Sequence, residues 1–147
     1  SATVQMHHTT MTGNTAANQG AGIHQIQNSV LEASYSLIDA GCYSEPDSLL
    51  VSLGYNAVLS TATEQCVLTP VDGVNTDLIL SPEEMKLEAL ADNGGSTLTH
   101  LPSSGSVLID AVAAANCVPE LTEDQRGEPR NDGSACDIGA VEVQTGE

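Results

Sequence analysis

Short apolar runs separated by turn-forming residues recur along the chain and predict β-strands. The run Val4–Met11 (VQMHHTTM) is followed by the longer run Asn28–Gly41 (NSVLEASYSLIDAG), which has the same order of apolar start, polar middle and apolar end. Val4 and Val30 place the two runs 26 residues apart. A repeat of about 20 to 30 residues that carries short strands has the size of one solenoid coil, so the pattern favours a solenoid.

One stretch carries a helix signal instead. Residues 81–84 (SPEE) combine a capping serine, a proline suited to the first helical position and two acidic residues that complement the positive end of the helix dipole. The sequence therefore predicts one short surface α-helix near 82–90. Its inward residues are expected to be Met85, Ala89 and Leu90.

The hydrophobic residues are almost all aliphatic, which favours the same architecture. The 147-residue chain is 40% hydrophobic, yet it has no Phe and no Trp, and its tyrosines are Tyr35, Tyr43 and Tyr55. A wide globular core normally uses large rings to fill its volume, whereas a narrow interior of stacked aliphatic side chains does not need them.

The charge of the chain restricts its classes of partner. Twenty acidic residues against three basic ones give a formal net charge of −17. Because nucleic acids and anionic membrane surfaces attract basic proteins and repel acidic ones, this balance excludes both as general partners. Direct membrane insertion is not expected either, because no apolar run approaches the length of about twenty residues that a membrane helix needs.

The four cysteines form two pairs that are each close in sequence, and none lies in a C-x-x-C motif. Of the three possible connectivities we favour the nearest-neighbour one, Cys42–Cys66 and Cys117–Cys136. Each bond would close a loop of about twenty residues and stabilise the fold by roughly 3 kcal/mol on the chain-entropy model. Two such bonds predict an oxidising compartment.

The stretch Asp124–Glu142 (DQRGEPRNDGSACDIGAVE) concentrates charges of both signs. It holds Arg126 and Arg130, two of the three basic residues of the chain. Each guanidinium offers five donors in a fixed fork, and many carboxylates are available to accept them. We therefore predict that the two arginines are structural clips. The acidic members of these clips are Asp124, Asp137 and Glu142.

The same stretch, together with residues 91–100 (ADNGGSTLTH) and 105–111 (GSVLIDA), resembles the C-terminal part of the choice-of-anchor Q domain. The resemblance covers approximately residues 50–142, and the three blocks in order are more specific than any one of them. Ser96 and Val107 depart from it, because the family usually has proline at both positions. The resemblance implies a secreted bacterial protein with a right-handed parallel β-helix, as in proteins with a CSLREA motif, and it implies no reaction.

We therefore expect an all-β fold, namely a fragment of a right-handed parallel β-helix (solenoid) with an irregular C-terminal cap and the one short helix. Residues 1–66 are expected to form coils, and residues 67–147 the C-terminal coils and capping region of the same domain. The chain does not start with Met or a signal peptide, so we expect a mature form or a fragment of a longer chain. The sequence leaves open whether an anchor was cleaved after Glu147.

Candidate metal sites are few. The four histidines, His7, His8, His24 and His100, lack a spacing that would bring three or four zinc ligands together. Oxygen donors beside glycines make weak calcium candidates, and calcium is the only cofactor that we consider. These candidates are Asp92, Asn131, Asp132 and Asp137. The same side chains also suit turns in which they hold their own backbone.

A catalytic role finds little support. Glu123 and Asp124 form the one carboxylate pair considered for a polysaccharide hydrolase, a class that needs two carboxylates at a defined separation. Sugar grooves usually need aromatic platforms and, for anionic sugars, clustered cations, and this chain is poor in both. We predict no catalytic residues and do not expect an enzyme.

A solenoid that begins within a strand leaves an open edge, because each coil buries its faces only against neighbouring coils. We expect that edge to be covered either by an upstream part of a longer chain or by self-association. The leading functional prediction is an extracellular structural protein of a cell-surface stalk, sheath or filament. The alternatives are a carbohydrate-active or carbohydrate-binding β-helix and an adhesin domain whose partner recognises the acidic face.

Overall fold

The computed structural model describes residues 2–17, 20–61, 66–71, 76–130 and 135–146. The chain divides into two compact units, Ser1–Ser81 and Pro82–Glu147. Strands dominate the regular structure and helix is scarce, which agrees with the all-β character expected from the sequence.

The described residues of the first unit form ten short strands. They are β1 (Ala2–His7), β2 (Thr10–Met11), β3 (Ile23–Gln25), β4 (Ser29–Ser34), β5 (Leu37–Ile38), β6 (Cys42–Ser44), β7 (Leu49–Gly54), β8 (Ala57–Leu59), β9 (Thr69–Pro70) and β10 (Leu78–Leu80). Polar and glycine-containing turns of a few residues separate most of them, which agrees with the alternation of apolar runs and turn signals in the sequence.

The ten strands form three parallel sheets. Their orders are β1-β4-β7-β9, β2-β5-β8-β10 and β3-β6. All described pairs within them are parallel. Consecutive strands belong to different sheets, and the chain returns to the same sheet after one short strand in each of the others or after a turn. Parallel neighbours that are distant in sequence therefore hold this unit together.

The repeat is one residue longer than the sequence pattern predicts. Ala2 lies opposite Ser29 and Val4 opposite Leu31, so the first return takes 27 residues and not 26. A shift of one residue matters in a strand, because successive side chains point to opposite faces. The next return is shorter, since Val30 lies opposite Leu49. The apparent match of Val4 with Val30 was therefore wrong, and the period is not constant.

The core of the first unit lies between the sheets and is aliphatic, as the composition predicts. Its buried members are Met6, Ile23, Leu31, Ala33, Ile38, Cys42, Leu50, Val58 and Cys66. Several of them are stacked by register: Leu31 lies opposite Leu50, and Ile38 lies opposite Val58. Such columns of aliphatic side chains fill a narrow interior without rings.

The parallel sheets continue past residue 66, where the sequence was expected to pass from coils to a C-terminal region. β9 pairs with β7, and β10 pairs with β8. The division between the two compact units falls after Ser81 instead.

The second unit has little regular structure. It contains α1 (Pro82–Met85), β11 (Val112–Ala113), a 3₁₀ helix (Ala114–Asn116) and β12 (Ala135–Cys136). β11 and β12 are antiparallel, and isolated antiparallel bridges join Leu87 to Pro102, Ala91 to Thr99 and Glu123 to Pro129. Its buried apolar side chains are Met85, Leu108, Val112, Ile138 and Val141.

The predicted helix near 82–90 is a single turn. It ends at Met85 because Lys86 adopts a positive φ of 44°, which an α-helix cannot contain. The chain then turns into an antiparallel partnership, in which the Glu88 N–H donates to the Leu101 carbonyl at 2.9 Å. Met85 is buried as expected, but Ala89 and Leu90 are exposed, so their predicted inward orientation was wrong.

Both disulfides have the nearest-neighbour connectivity favoured from the sequence. Cys42 is bonded to Cys66 with a Cα–Cα distance of 4.9 Å, and Cys117 to Cys136 with a distance of 6.1 Å. All four cysteines are therefore paired. Two disulfides indicate an oxidising, extracellular environment. In the described part of the chain, no helix is long and apolar enough to cross a membrane.

Candidate functional site

The first strands of the three sheets, β1, β2 and β3, form one surface, which we call the N-terminal face. Within the described residues, β1 pairs with β4 alone, so it is an edge strand. A cavity of about 750 Å³ opens at this surface. Its apolar lining includes Ala2, Val4, Met6, Met11, Ile23 and Leu31.

Val4 shows that the aliphatic core is uncovered at this face. In register it lies opposite Leu31, which in turn lies opposite Leu50. Leu31 and Leu50 are 9% and 5% exposed, whereas Val4 is 60% exposed. Val4 therefore occupies a core position on a strand that lacks its next neighbour. Full burial of a valine stabilises a structure by about 1.5–3 kcal/mol relative to exposure, so this face favours a covering partner.

A stack of three rings runs through the first unit beside this face. His8, Tyr35 and Tyr55 occupy equivalent corners between strands, and all three have positive φ angles, of 45°, 51° and 57°. The ring centroids of His8 and Tyr35 are 4.6 Å apart, and those of Tyr35 and Tyr55 are 5.5 Å apart, with nearly parallel planes. Burial, with a further contribution from Tyr55, raises the pKa of Tyr35 above its usual value near 10.

A ladder of hydrogen bonds fixes the same corners. The Thr9 N–H donates to Ser36 Oγ, the Ser36 N–H to Asn56 Oδ1, and the Asn56 N–H to Asp77 Oδ1, at 3.2, 3.2 and 2.9 Å. Ser36 and Asn56 are completely buried, so these bonds satisfy backbone groups that water cannot reach. The repeated corner explains why the strands of successive returns stay in register.

The distribution of charge is the signal that our sequence reasoning missed. Residues 1–31 contain no Asp, Glu, Lys or Arg, although the chain holds 20 acidic and 3 basic residues. All 23 charged residues therefore lie at Glu32 or later, and β1, β2 and β3 lie before it. A net charge for the whole chain hides this contrast. Depletion of charged residues is typical of the centre of a protein–protein interface.

The second unit contains a buried cluster of five charged residues, which we call the charge cluster. Its members are Asp124, Arg126, Arg130, Asp137 and Glu142. All five are buried although none is apolar, and charged groups are buried in folded proteins only when they are paired or hydrogen-bonded. These are the five residues that the sequence pattern singles out as clips.

Asp124 and Arg126 form the first half of the charge cluster. Arg126 Nε donates to Asp124 Oδ2 at 3.0 Å, and Arg126 Nη2 donates to the carbonyl oxygen of Glu142 at 2.6 Å. Asp124 also accepts the N–H groups of Arg126 and Glu128 on Oδ1 and that of Glu142 on Oδ2. One ion pair thus ties the turn at 124–128 to the chain near residue 142.

Arg130, Asp137 and Glu142 form the other half. Arg130 Nη1 lies 3.6 Å from Glu142 Oε2, and Arg130 Nη2 donates to the Gly139 carbonyl at 3.1 Å. Both oxygens of Asp137 accept backbone N–H groups, from Asp110 and Val143, each at 2.7 Å. Glu142 Oε2 accepts the N–H of Asp137 at 3.0 Å.

Burial separates the pKa values of the three carboxyl groups. It opposes ionisation of Asp124, but hydrogen bonds from the Glu142 N–H and from Arg126 outweigh it and lower the pKa of Asp124. For Asp137 burial outweighs the bonds from Val143 and Asp110 and raises the pKa. For Glu142 burial, helped by the nearby charge of Asp137, raises the pKa from 4.5 to about 7. Burial also lowers the pKa of Arg130.

The contacts of the charge cluster are structural. Its carboxylate oxygens accept backbone N–H groups from several separate segments and hold those segments together. Of the pair considered for sugar hydrolysis, Glu123 is exposed and Asp124 is buried with its oxygens engaged. The two side chains therefore do not face a common groove as an acid and a base would.

The metal candidates fall in separate places. Asp92 Oδ1 accepts the Gly94 N–H at 3.2 Å, which is a local turn contact, and Asp137 belongs to the charge cluster. Asn131 and Asp132 lie outside the described residues. Within the described ranges, no group of three or more His, Cys, Asp or Glu side chains is placed to hold a metal ion.

The histidines make separate contacts. His7 Nδ1 lies 2.5 Å from Ser34 Oγ, His24 packs edge-on against Tyr43 with ring centroids 5.1 Å apart, and His100 Nδ1 lies 2.7 Å from the Glu88 carbonyl oxygen.

Comparison with protein-family models, with curated proteins and with solved structures found no match to this chain. Function is therefore inferred from the geometry of the N-terminal face and of the charge cluster.

Proposed function

We propose that the chain is an extracellular structural module, built from coils of a right-handed parallel β-solenoid, whose N-terminal face takes up a further β-coil in a cell-surface stalk, sheath or filament. The observation that carries the proposal is the exposure of Val4, which is 60% exposed although its register partners Leu31 and Leu50 are buried. A core column that stops at the surface fits a structure that continues.

Backbone hydrogen bonding supports the same proposal. An edge strand presents a row of N–H and C=O groups that can pair with another strand, and natural proteins usually block such edges with charges, prolines or bulges. β1 (ATVQMH) contains none of the charged residues or prolines. Its six residues follow the register of β4 without interruption. The edge is therefore suited to strand addition, in which main-chain bonds provide affinity.

Export is supported by the two disulfides and by the resemblance of residues 50–142 to the choice-of-anchor Q domain. Disulfides persist outside the cytosol, and that family is secreted by bacteria. A structural role also suits the tyrosines. Tyr35 lies between two other rings and Tyr43 packs against His24, so neither is arranged as a free flat platform for a sugar.

Sedimentation velocity and negative-stain microscopy of the purified chain test the proposal. Across a wide range of concentrations, at salt that screens the net charge, we expect particles larger than one chain. Strictly monomeric particles at the highest concentration would overturn the assembly role. Leu49→Glu is a matched control, because Leu49 is an exposed apolar residue on β7, away from the N-terminal face.

A further inference from the structure

The N-terminal face can be covered in several ways, and three observations select among them: the absence of charge, the nature of the opposite edge of the same sheet, and the alternation of side chains along β1. The choice of partner rests on the proposed assembly, because it names what that assembly brings to this face.

Charge favours a second copy of this chain as the partner. Two copies of a protein with a net charge of −17 repel each other unless they meet through surfaces that carry no charge. The N-terminal face is built from the first 31 residues, which contain no Asp, Glu, Lys or Arg. Contact between two such faces removes apolar surface from water and brings no buried charge with it.

The opposite edge of the same sheet is a poor partner for β1. In the described part of that sheet the last strand is β9, which has two residues, Thr69 and Pro70. Proline has no N–H to donate, so this edge offers fewer hydrogen bonds than β1 does. A head-to-tail contact of β1 with β9 is therefore disfavoured relative to a contact of β1 with another β1.

We propose that two copies of the chain associate through their N-terminal faces across a two-fold axis, with the two β1 strands antiparallel and Val4 of one copy opposite Val4 of the other. A two-fold contact uses the same surface on both copies. It therefore forms closed pairs, and a longer filament requires a second contact elsewhere on the chain.

The alternation of side chains fixes the register. Val4 and Met6 lie opposite Leu31 and Ala33, both buried, so the even-numbered positions of β1 point inward. Residues directly opposite in an antiparallel pair lie on the same face of the sheet. Even positions must then meet even positions. Placing Val4 on the axis sets Ala2 opposite Met6 and continues the core across the contact.

Charge-exchange variants test this arrangement. Val4→Glu and Val4→Lys should each raise the dissociation constant of the pair at least ~10-fold, because like charges then meet on the axis. An equimolar mixture of the two variants should associate at least ~10-fold more tightly than either alone, since opposite charges meet. Leu49→Glu, Leu49→Lys and their mixture should behave like the unmodified chain. Far-UV circular dichroism should be unchanged, because Val4 is already 60% exposed.

The outcomes separate the two-fold contact from the broader proposal. If the unmodified chain assembles but the mixture associates no better than the single variants, the two-fold arrangement is wrong while assembly stands. If Val4→Glu and Val4→Lys assemble as the unmodified chain does, the N-terminal face is not the contact. If the unmodified chain is monomeric at every concentration, both proposals fail.

Discussion

Replacing Glu142 by glutamine should flatten the pH dependence of the stability of the second unit. Glu142 is 3% exposed, and burial raises its pKa from 4.5 to about 7. The folded chain therefore binds a proton that the unfolded chain has released between these two values. This contribution to the free energy of unfolding is fully present below about pH 4.5 and is lost as the pH rises through about 7.

The magnitude follows from the two pKa values. Each pKa unit corresponds to about 1.4 kcal/mol, so the difference between 4.5 and about 7 corresponds to about 3 kcal/mol in total. Asp137 acts in the same direction, because its pKa is also raised. Asp124 acts in the opposite direction and at lower pH, because its pKa is lowered: its contribution is lost as the pH falls through the folded value. The side chain introduced by Glu142→Gln retains an oxygen that can accept the Asp137 N–H but cannot titrate.

The assay is urea unfolding between about pH 5 and pH 8, followed by the amide resonances of Ile138 and Val143, which report on the second unit. The unmodified chain should lose about 2–3 kcal/mol more over this range than Glu142→Gln does. Glu123→Gln, at an exposed carboxylate, serves as the matched control and should follow the unmodified chain. Parallel curves for Glu142→Gln and the unmodified chain would refute the reasoning about the charge cluster.

Three other substitutions test separate parts of the structure. Arg126→Met removes a buried cation from its carboxylate partner and should lower the free energy of unfolding by about 3–5 kcal/mol in urea unfolding. Gly95→Ala should destabilise by more than Gly94→Ala, because both glycines have positive φ but only at Gly95 would the added Cβ approach backbone, 2.6 Å from Arg126 Cα; equal thermal midpoints would contradict this. Replacing Cys42 and Cys66 together by alanine should cost about 3 kcal/mol, measured by tyrosine fluorescence, and an unchanged midpoint would contradict it.

The sequence predicted those parts of the fold that depend on local chemistry or on composition. The aliphatic core, the strand-rich character and the pairing of cysteines close in sequence all follow from residue types. The charge cluster was also recognisable, because only two arginines stand near it among many carboxylates. The identity of its backbone contacts was not, since the N–H of Asp110 that binds Asp137 lies 27 residues away in sequence.

Register and helix length could not be predicted, for physical reasons. Val4 and Val30 look equivalent by residue type, but pairing is decided by the corners, where His8 and Tyr35 stack and the chain takes an extra residue. The helix signal at 82–84 was correct for its first turn. Lys86 then leaves helical geometry because the following chain pairs with the segment near Leu101, which no local propensity encodes.

Hydrogen–deuterium exchange of β1, measured as a function of protein concentration, tests the central claim most directly. Amides in β4 and β7, which have parallel neighbours on both sides, should be protected at every concentration. Amides of β1 that do not donate to β4 should exchange freely in dilute solution and become protected as the concentration rises. Unprotected β4 and β7 amides, or β1 exchange that does not change with concentration, would contradict the account.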